Sequence, residues 1–302
     1  MRNIYKVVIA LATLIALVKP AQADVNVFAC EPEWGALAQE LGGKLVSVYN
    51  ATTALQDPHQ IQARPGLIAK LRQADLLACT GSELEIGWLP VLLRQGGNSH
   101  VQPGQSGYFM ATEHVEMLEV PSSVDRSQGD VHAGGNPHIQ TDPRNIGKVA
   151  KAMADTLQGI DSKHATEYAA RYQAFDQRWQ ASITRWEKEA APLRGIKVVV
   201  HHKSWVYLFN WLGIEEVATL EPKPGVPASA GHLSQLLETL QKQPAKMIIR
   251  TAYEEDRPSL WLSDRSHIPA VNLPFTVGGS DGAKDLTGLY DDTLSKLLSA
   301  AK

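Results

Sequence analysis

The chain has 302 residues, of which 44% are hydrophobic and 20% charged, with a formal net charge of −3. That length holds two ordinary domains or one large one, and the balance is that of a globular protein rather than a disordered or fibrous one. An acidic chain with no polybasic run lacks the basic surface that a nucleic-acid partner favours.

Residues 1–23 read as a secretory signal peptide. Arg2 and Lys6 precede the apolar run Val7 to Val18, and Ala21-Gln22-Ala23 fits a small-x-small pattern with cleavage after Ala23. The run is too short for a convincing membrane span. No Cys follows the cleavage point to carry a lipid. Taking Arg2, Lys6 and Lys19 from the 29 basic residues leaves 26 against 32 acidic ones, so the exported chain is more acidic still. In a Gram-negative cell the expected location is the periplasm.

After the leader the chain alternates strand and helix. Val25 to Cys30 is a strand, Glu33 to Leu41 a helix stopped by Gly42-Gly43, and Leu45 to Tyr49 a strand. Pro65 to Gln73 is helical, Leu76 to Cys79 a strand and Trp88 to Leu93 a short helix. Gly96 to Gly107 is turn-rich, and Val115 to Val120 is a candidate strand. Cys30 and Cys79 each close an apolar strand-like run. On neighbouring strands they would lie at one level, where an oxidising compartment permits a disulfide; two buried free thiols are the alternative.

The period then changes. From Asp161 to about Leu193, Ala165, Tyr168, Tyr172, Phe175, Trp179, Ser182 or Ile183, Trp186 and Ala190 recur at steps of three or four. That spacing predicts one long amphipathic helix with an aromatic stripe, N-capped by Asp161 and ended by Gly195. The stripe is read as packing against two lobes rather than as a binding box. Alternation resumes with strands at Lys197 to Val200, Val217 to Leu220, Lys246 to Arg250 and Ala270 to Leu273. Helices are expected at Trp205 to Leu212, His232 to Gln241, Arg257 to Ser263 and Leu286 to Ala301. The expected fold is α/β: two doubly wound parallel-sheet lobes joined by one long rigid α-helix, with a metal site in the cleft between them. The boundaries are 1–23 for the leader, 24–145 for the first lobe, 146–194 for the helical connection and 195–302 for the second lobe.

The chain has ten His, and three turns present histidines in a way that suits a ligand. His59 lies in Asp57-Pro58-His59, between a strand and a helix. His138 ends Gly134-Gly135-Asn136-Pro137-His138, where Gly and Pro fix the backbone before the Asp142-Pro143 turn. His201 and His202 directly follow an apolar strand. Open α/β sheets bind ligands beyond the carboxyl ends of their strands. Neutral imidazole is the commonest zinc ligand, and three of them leave one position for a carboxylate or water. His100, His114, His164 and His267 lie in polar loops or on helix surfaces and are discounted. Three unrelated loop histidines are the alternative, and spacing alone leaves it open.

These phrases, with His202 five residues before Tyr207 and eleven before Gly213, the loop from Glu221-Pro222 to His232, and Leu273-Pro274-Phe275-Thr276-Val277-Gly278-Gly279, carry a resemblance. Over essentially the whole mature chain, it resembles the zinc and manganese solute-binding proteins of bacterial ABC importers, a metal-receptor family with a helical backbone. The resemblance implies His59, His138 and His202 as ligands, with His201 the competitor for the third place. Manganese-type relatives place an Asp where this chain has Pro274, which turns the expectation toward Zn2+. Asp281, in the Gly-rich loop that follows, is the candidate oxygen ligand; Asp285 and water are the alternatives. Zinc-type relatives often carry a long His- and acid-rich loop before the central His motif. Here Ser122 to Gly135, with Asp125, Asp130 and His132, stands as a short version. Its His132 is read as a solvated loop residue before a metal-receiving one. Glu83 and Glu221 are candidate partners for the ligand rings.

The implied function is capture of Zn2+ and delivery to an inner-membrane ABC permease by a monomer that is not an enzyme. A periplasmic zinc chaperone is a further candidate partner. A manganese receptor is the alternative within the family. A secreted zinc hydrolase is a different class: three His and an open position suit it, but there is no His-Glu-x-x-His and Gln60, not Glu, follows His59.

Overall fold

A computed structural model describes residues 24–125, 127 and 129–302; the leader lies outside the described residues. Among these, no helix is long and apolar enough to cross a membrane.

The first sheet contains β1 (Val25–Ala29), β2 (Val46–Asn50), β3 (Leu76–Cys79) and β4 (Tyr108–Met110), in the order β2-β1-β3-β4. All its pairings are parallel. The helices α1 (Pro32–Gly42), α2 (Pro65–Leu71) and α3 (Leu89–Gly96) connect these strands. The fourth strand is not the expected Val115 to Val120. That stretch is irregular, and its backbone bonds elsewhere: the Tyr207 hydroxyl of the second lobe meets Leu118 N at 3.0 Å, while Leu118 O accepts from Asn136 N in the His138 turn. Its apolar residues Met117 and Leu118 pack on the core without pairing as a strand.

Two helices follow, α4 (Pro143–Ile160) and α5 (Ala165–Glu189). The expected long helix is present with 25 residues, about 38 Å at 1.5 Å each. It begins later than its periodicity implies. Asp161 is the C-terminal cap position of α4, and a single 3-10 turn, Ser162–His164, separates the two helices. The Asp161 carboxylate accepts from the Tyr168 hydroxyl at 3.0 Å and faces His164 Nδ1 at 2.8 Å. The helices run antiparallel, since Tyr168 meets the end of α4 and Trp179 Nε1 donates to Pro143 O at its start.

The second sheet repeats the first. Strands β5 (Lys197–Val200), β6 (Glu215–Thr219), β7 (Met247–Thr251) and β8 (Ala270–Leu273) are parallel in the order β6-β5-β7-β8. Around them lie α6 (Val206–Leu212), α7 (Ala230–Lys242), α8 (Arg257–Ser266) and α9 (Leu286–Ala300).

Side-chain alternation decides which core each strand residue joins. Val198 and Val200 of β5 face a large central core, while Val199 faces a smaller one under α7 and α8. In the first sheet Val25, Val27 and Ala29 face the central core. Phe28 and Cys30 face an outer core with Leu67, Leu92 and Trp88. The central core is continuous from α1 through α4 and α5 to α6 and α9, so both lobes share it. The α5 stripe lies inside it. Trp179 stacks on Phe175 and meets Tyr290 of α9 edge-on at 5.5 Å, and Trp186 Nε1 donates to Asp291. In the outer core Cys30 and Cys79 form a disulfide, with Cα atoms 4.7 Å apart.

Candidate metal centre

His59, His138 and His202 come together in the cleft. Their ring centroids form a nearly equilateral triangle with sides of 5.4, 5.6 and 5.8 Å. One nitrogen of each lies within 4.8 Å of the other two. The first two belong to the first lobe and the third to the second.

Each ring is held by its local backbone. Asp57 accepts from the His59 amide at 3.0 Å and meets His59 Nδ1 at 2.8 Å. With Nδ1–H donating to Asp57, the lone pair of Nε2 is free, and that atom is buried without a partner. The turn itself is pinned by Trp88 Nε1, which donates to Pro58 O at 2.9 Å.

His138 is 1% exposed and is held from both lobes. Gly135 has φ +101°, a conformation that favours glycine. Asn136 Oδ1 accepts from the His138 amide, while its Nδ2 donates to Lys203 O of the second lobe at 2.9 Å. Tyr207 of α6 donates its hydroxyl to Asn136 O at 2.8 Å. From the loop after β8, Phe275 lies edge-on to the imidazole with centroids 5.3 Å apart. Burial, then the neighbouring rings of His59 and His202, pull His138 well below the ordinary imidazole pKa. It therefore stands neutral at pH 7, as a metal ligand must.

His202 is the second residue after β5, at the boundary of β5 and β7 where the strand order reverses. Its Nδ1 meets Glu221 Oε2 at 2.7 Å, and Gly225 N donates to the same oxygen at 3.0 Å. Burial lowers the pKa of His202, but the Glu221 hydrogen bond and charge outweigh it and leave the ring above its ordinary value. His201 is outside the triad. Its amide extends the β5–β7 pairing by donating to Ile249 O, and its Nδ1 is buried without a partner.

Asp281 does not join the histidines. It is exposed and lines a separate depression with Ala270, Asn272 and Lys296, against β8 and α9. The reason is local. Gly278 N donates to Ala283 O, and Ser280 Oγ donates to Asp292 of α9, so the Gly-rich loop folds onto α9 and away from the cleft. Asp285 is occupied as the N-cap of α9, accepting from Gly288 N at 2.7 Å.

The short loop before the central motif enters the cleft instead. His132 stands 5.4 Å from His59, with Nε2 buried and unpartnered. Burial and the His59 ring bring its pKa down to about 4. Glu83 accepts from the neighbouring Ala133 amide, so it braces this loop rather than a ligand ring. Asp130 N reaches across to Pro224 O of the second lobe at 2.9 Å. The cleft between these loops, walled by His132, His138, His202, Glu119 and Lys203, has a volume of about 370 Å³.

Residues 27–300 match the family ZnuA, described as zinc-uptake complex component A, periplasmic. The chain belongs to this family. Its members are metal-binding substrate-binding proteins that serve ABC transporters. The high-affinity zinc uptake system protein ZnuA of Paracoccus denitrificans is 24% identical over 311 residues, covering 91% of this chain and 90% of its own. The manganese ABC transporter substrate-binding lipoprotein PsaA of Streptococcus pneumoniae is 22% identical over 250 residues, with 80% and 76% covered. A crystal structure of ZnuA superposes with a TM-score of 0.74 at 20% identity, covering 92% of this chain and 99% of that one. ZnuA-family membership accounts for two like sheets in one chain and for the long helix between them. It leaves the metal open between zinc and manganese.

Tyr207 and Phe275 touch the candidate site at positions to which pattern reading assigned no part in it. Both stand in phrases that carried the resemblance, but their roles are contacts to the His138 turn from the other lobe. Neither contact has a sequence signal. His132 had one, its position six residues before His138, without anything to show that the loop folds inward.

Proposed function

We propose that this protein captures Zn2+ in the exported compartment and hands it to an inner-membrane ABC permease, with His59, His138 and His202 as the ligands. The observation that carries this is the donor set: three convergent imidazole nitrogens with no carboxylate oxygen among them. Manganese favours harder oxygen donors, and at a nitrogen site the divalent series places zinc well above it. His132, with its ring 5.4 Å from that of His59 and Nε2 unpartnered, replaces Asp281 as the candidate for the fourth position; water is the other. Because His202 comes from the other lobe than His59 and His138, binding the ion joins the lobes through it. The shared central core and the interlobe bonds of Tyr207 and Asn136 favour small loop movements over wide lobe opening.

The test is mixed-metal equilibrium dialysis of the purified chain, followed by titration of single variants. Zinc should be retained over an excess of manganese. His59→Ala, His138→Ala and His202→Ala should each lose tight zinc binding, and Asp281→Ala should keep it. Displacement of zinc by manganese would overturn the choice of metal. Unchanged zinc affinity in the three His variants would overturn the site.

A further inference from the structure

His202 has to stand at the right distance from His138, yet the two rings belong to different lobes. The bonds that cross the cleft beside them are unequal. Lys203 Nζ meets Glu119 at 2.8 Å, but the two side chains are 42% and 40% exposed, where an ion pair contributes little. The backbone bond from Asp130 N to Pro224 O lies in the loop beyond β6, away from both ligands in sequence. Asn136 is the residue that bonds next to both.

Asn136 is 8% exposed, and each of its polar groups is engaged. Its backbone N–H donates to Leu118 O and its carbonyl accepts from the Tyr207 hydroxyl, both at 2.8 Å. Its side chain faces two ways. Oδ1 accepts from the His138 amide at 3.1 Å, the two-residue turn typical of asparagine, and so sets the backbone that enters the ligand. Nδ2 donates to Lys203 O at 2.9 Å and to Glu119 Oε2 at 3.3 Å. With an N–H on one side and two oxygens on the other, one orientation of the amide satisfies every partner. Lys203 O is one residue beyond His202, and Ser204 N donates to His202 O at 2.8 Å, so residues 202–204 form a tight turn. A hold on Lys203 O is therefore a hold on His202. Asp at this position would lack the donor, and Gln, one carbon longer, would not close the same turn.

We infer that Asn136 is a positioning residue for metal capture: its side-chain amide bonds to His138 in one lobe and beside His202 in the other, and sets the spacing of these two ligands before the ion binds. This rests on the reading of the three histidines as the metal site. Their nitrogens lie within 4.8 Å of one another, and a tetrahedral zinc with bonds of about 2.0–2.1 Å would bring them to roughly 3.3 Å apart. The tie keeps that remaining movement small. Without it the ion itself has to order His202, and the cost of that ordering lowers its affinity.

The experiment loads the full chain near pH 8 with cobalt(II), a spectroscopic stand-in for zinc at nitrogen sites, whose visible bands are intense in four-coordinate sites and weak at higher coordination. Asn136→Ser keeps an oxygen that caps the His138 turn and loses the donor to Lys203 O; Asn136→Ala loses both. Both variants should bind one cobalt, which shows that they fold, with weaker visible bands as water replaces His202. Both should hold zinc about tenfold less tightly in chelator competition. His202→Ala is the reference. A wild-type spectrum in that variant would remove the triad as the site. A changed spectrum there, with wild-type spectrum and zinc affinity in Asn136→Ser, would overturn the role of Asn136 alone. So would a lower Tm in both Asn136 variants with spectrum and affinity unchanged, the result expected of a merely structural residue. In the unmodified zinc-free chain the Asn136 side-chain NH2 protons should exchange slowly with solvent by NMR; exchange as fast as that of an exposed asparagine would also overturn it.

Discussion

The contact between Glu221 and His202 makes the sharpest prediction. Glu221 Oε2 lies 2.7 Å from His202 Nδ1, and the two side chains are only 14% and 12% exposed. The carboxylate fixes the tautomer that leaves Nε2 for metal and raises the basicity of the ring. Glu221→Gln keeps an oxygen that can accept from Nδ1 and removes the charge. Outer partners of ligating histidines contribute roughly 10- to 100-fold in affinity, about 1.4–2.7 kcal/mol. The same charge holds the pKa of His202 above its ordinary value, so in the wild type a proton competes with the ion. The variant loses both effects. Its deficit should be largest on the alkaline side and should shrink as pH falls, because the wild-type ring, with the higher pKa, meets the stronger proton competition. Chelator-competition titrations of zinc at a series of pH values are the assay. A deficit that stays constant with pH, or no deficit at all, would refute the reasoning.

Two further outcomes follow from buried groups outside the triad, one of them, Glu254, close enough to His202 to feel its charge. Burial raises Glu254 to about 7 from 4.5, so its folded pKa exceeds its unfolded one. Its stabilising contribution is complete below about pH 4.5 and is lost as pH rises through about 7. Glu254 keeps some exposure, which trims the cost of its charge to about 2 kcal/mol at alkaline pH. Zinc-free Glu254→Gln should therefore match the wild type near pH 5 and exceed its stability by about that amount near pH 8 in urea unfolding; equal stability at both pH values would contradict this. The Cys30–Cys79 disulfide closes a loop with a sequence separation of 49, and losing such a link costs about 4 kcal/mol. The Cys30→Ala/Cys79→Ala variant should show that loss in denaturant with zinc affinity intact, because the bond lies in the outer core; a loss under about 1 kcal/mol would sink the assignment.

Much of this molecule was legible in the sequence because local chemistry carried it. Alternating apolar strands and Gly- or Pro-bounded helices are short-range signals, and they marked seven of the eight strands among the described residues. The exception, Tyr108–Met110, is three residues long, too short for a period to register. The apolar stretch after it looked more like a strand, but its backbone bonds go to Tyr207 and Asn136 from elsewhere in the chain. The aromatic stripe of α5 was readable for the same reason as the strands. The turn at Ser162–His164 was not, because Asp161 suits either end of a helix break.

The candidate site divides the same way. By itself the sequence determined the type of donor and the turns that present it: Asp57 beside His59, Gly135 and Pro137 before His138, and His202 at the end of an apolar strand. Those are properties of a few adjacent residues and of strand ends. Which donors meet was decided only by tertiary structure. Asp281 is close in sequence to the Leu273-Pro274-Phe275 segment, yet hydrogen bonds to α9 turn its loop outward. His132 sits in a polar loop, yet the backbone bond from Asp130 to Pro224 and the Glu83 brace fold it onto His59. Convergence depends on where loops distant in sequence are pinned, and those pins are single hydrogen bonds without a periodic signature.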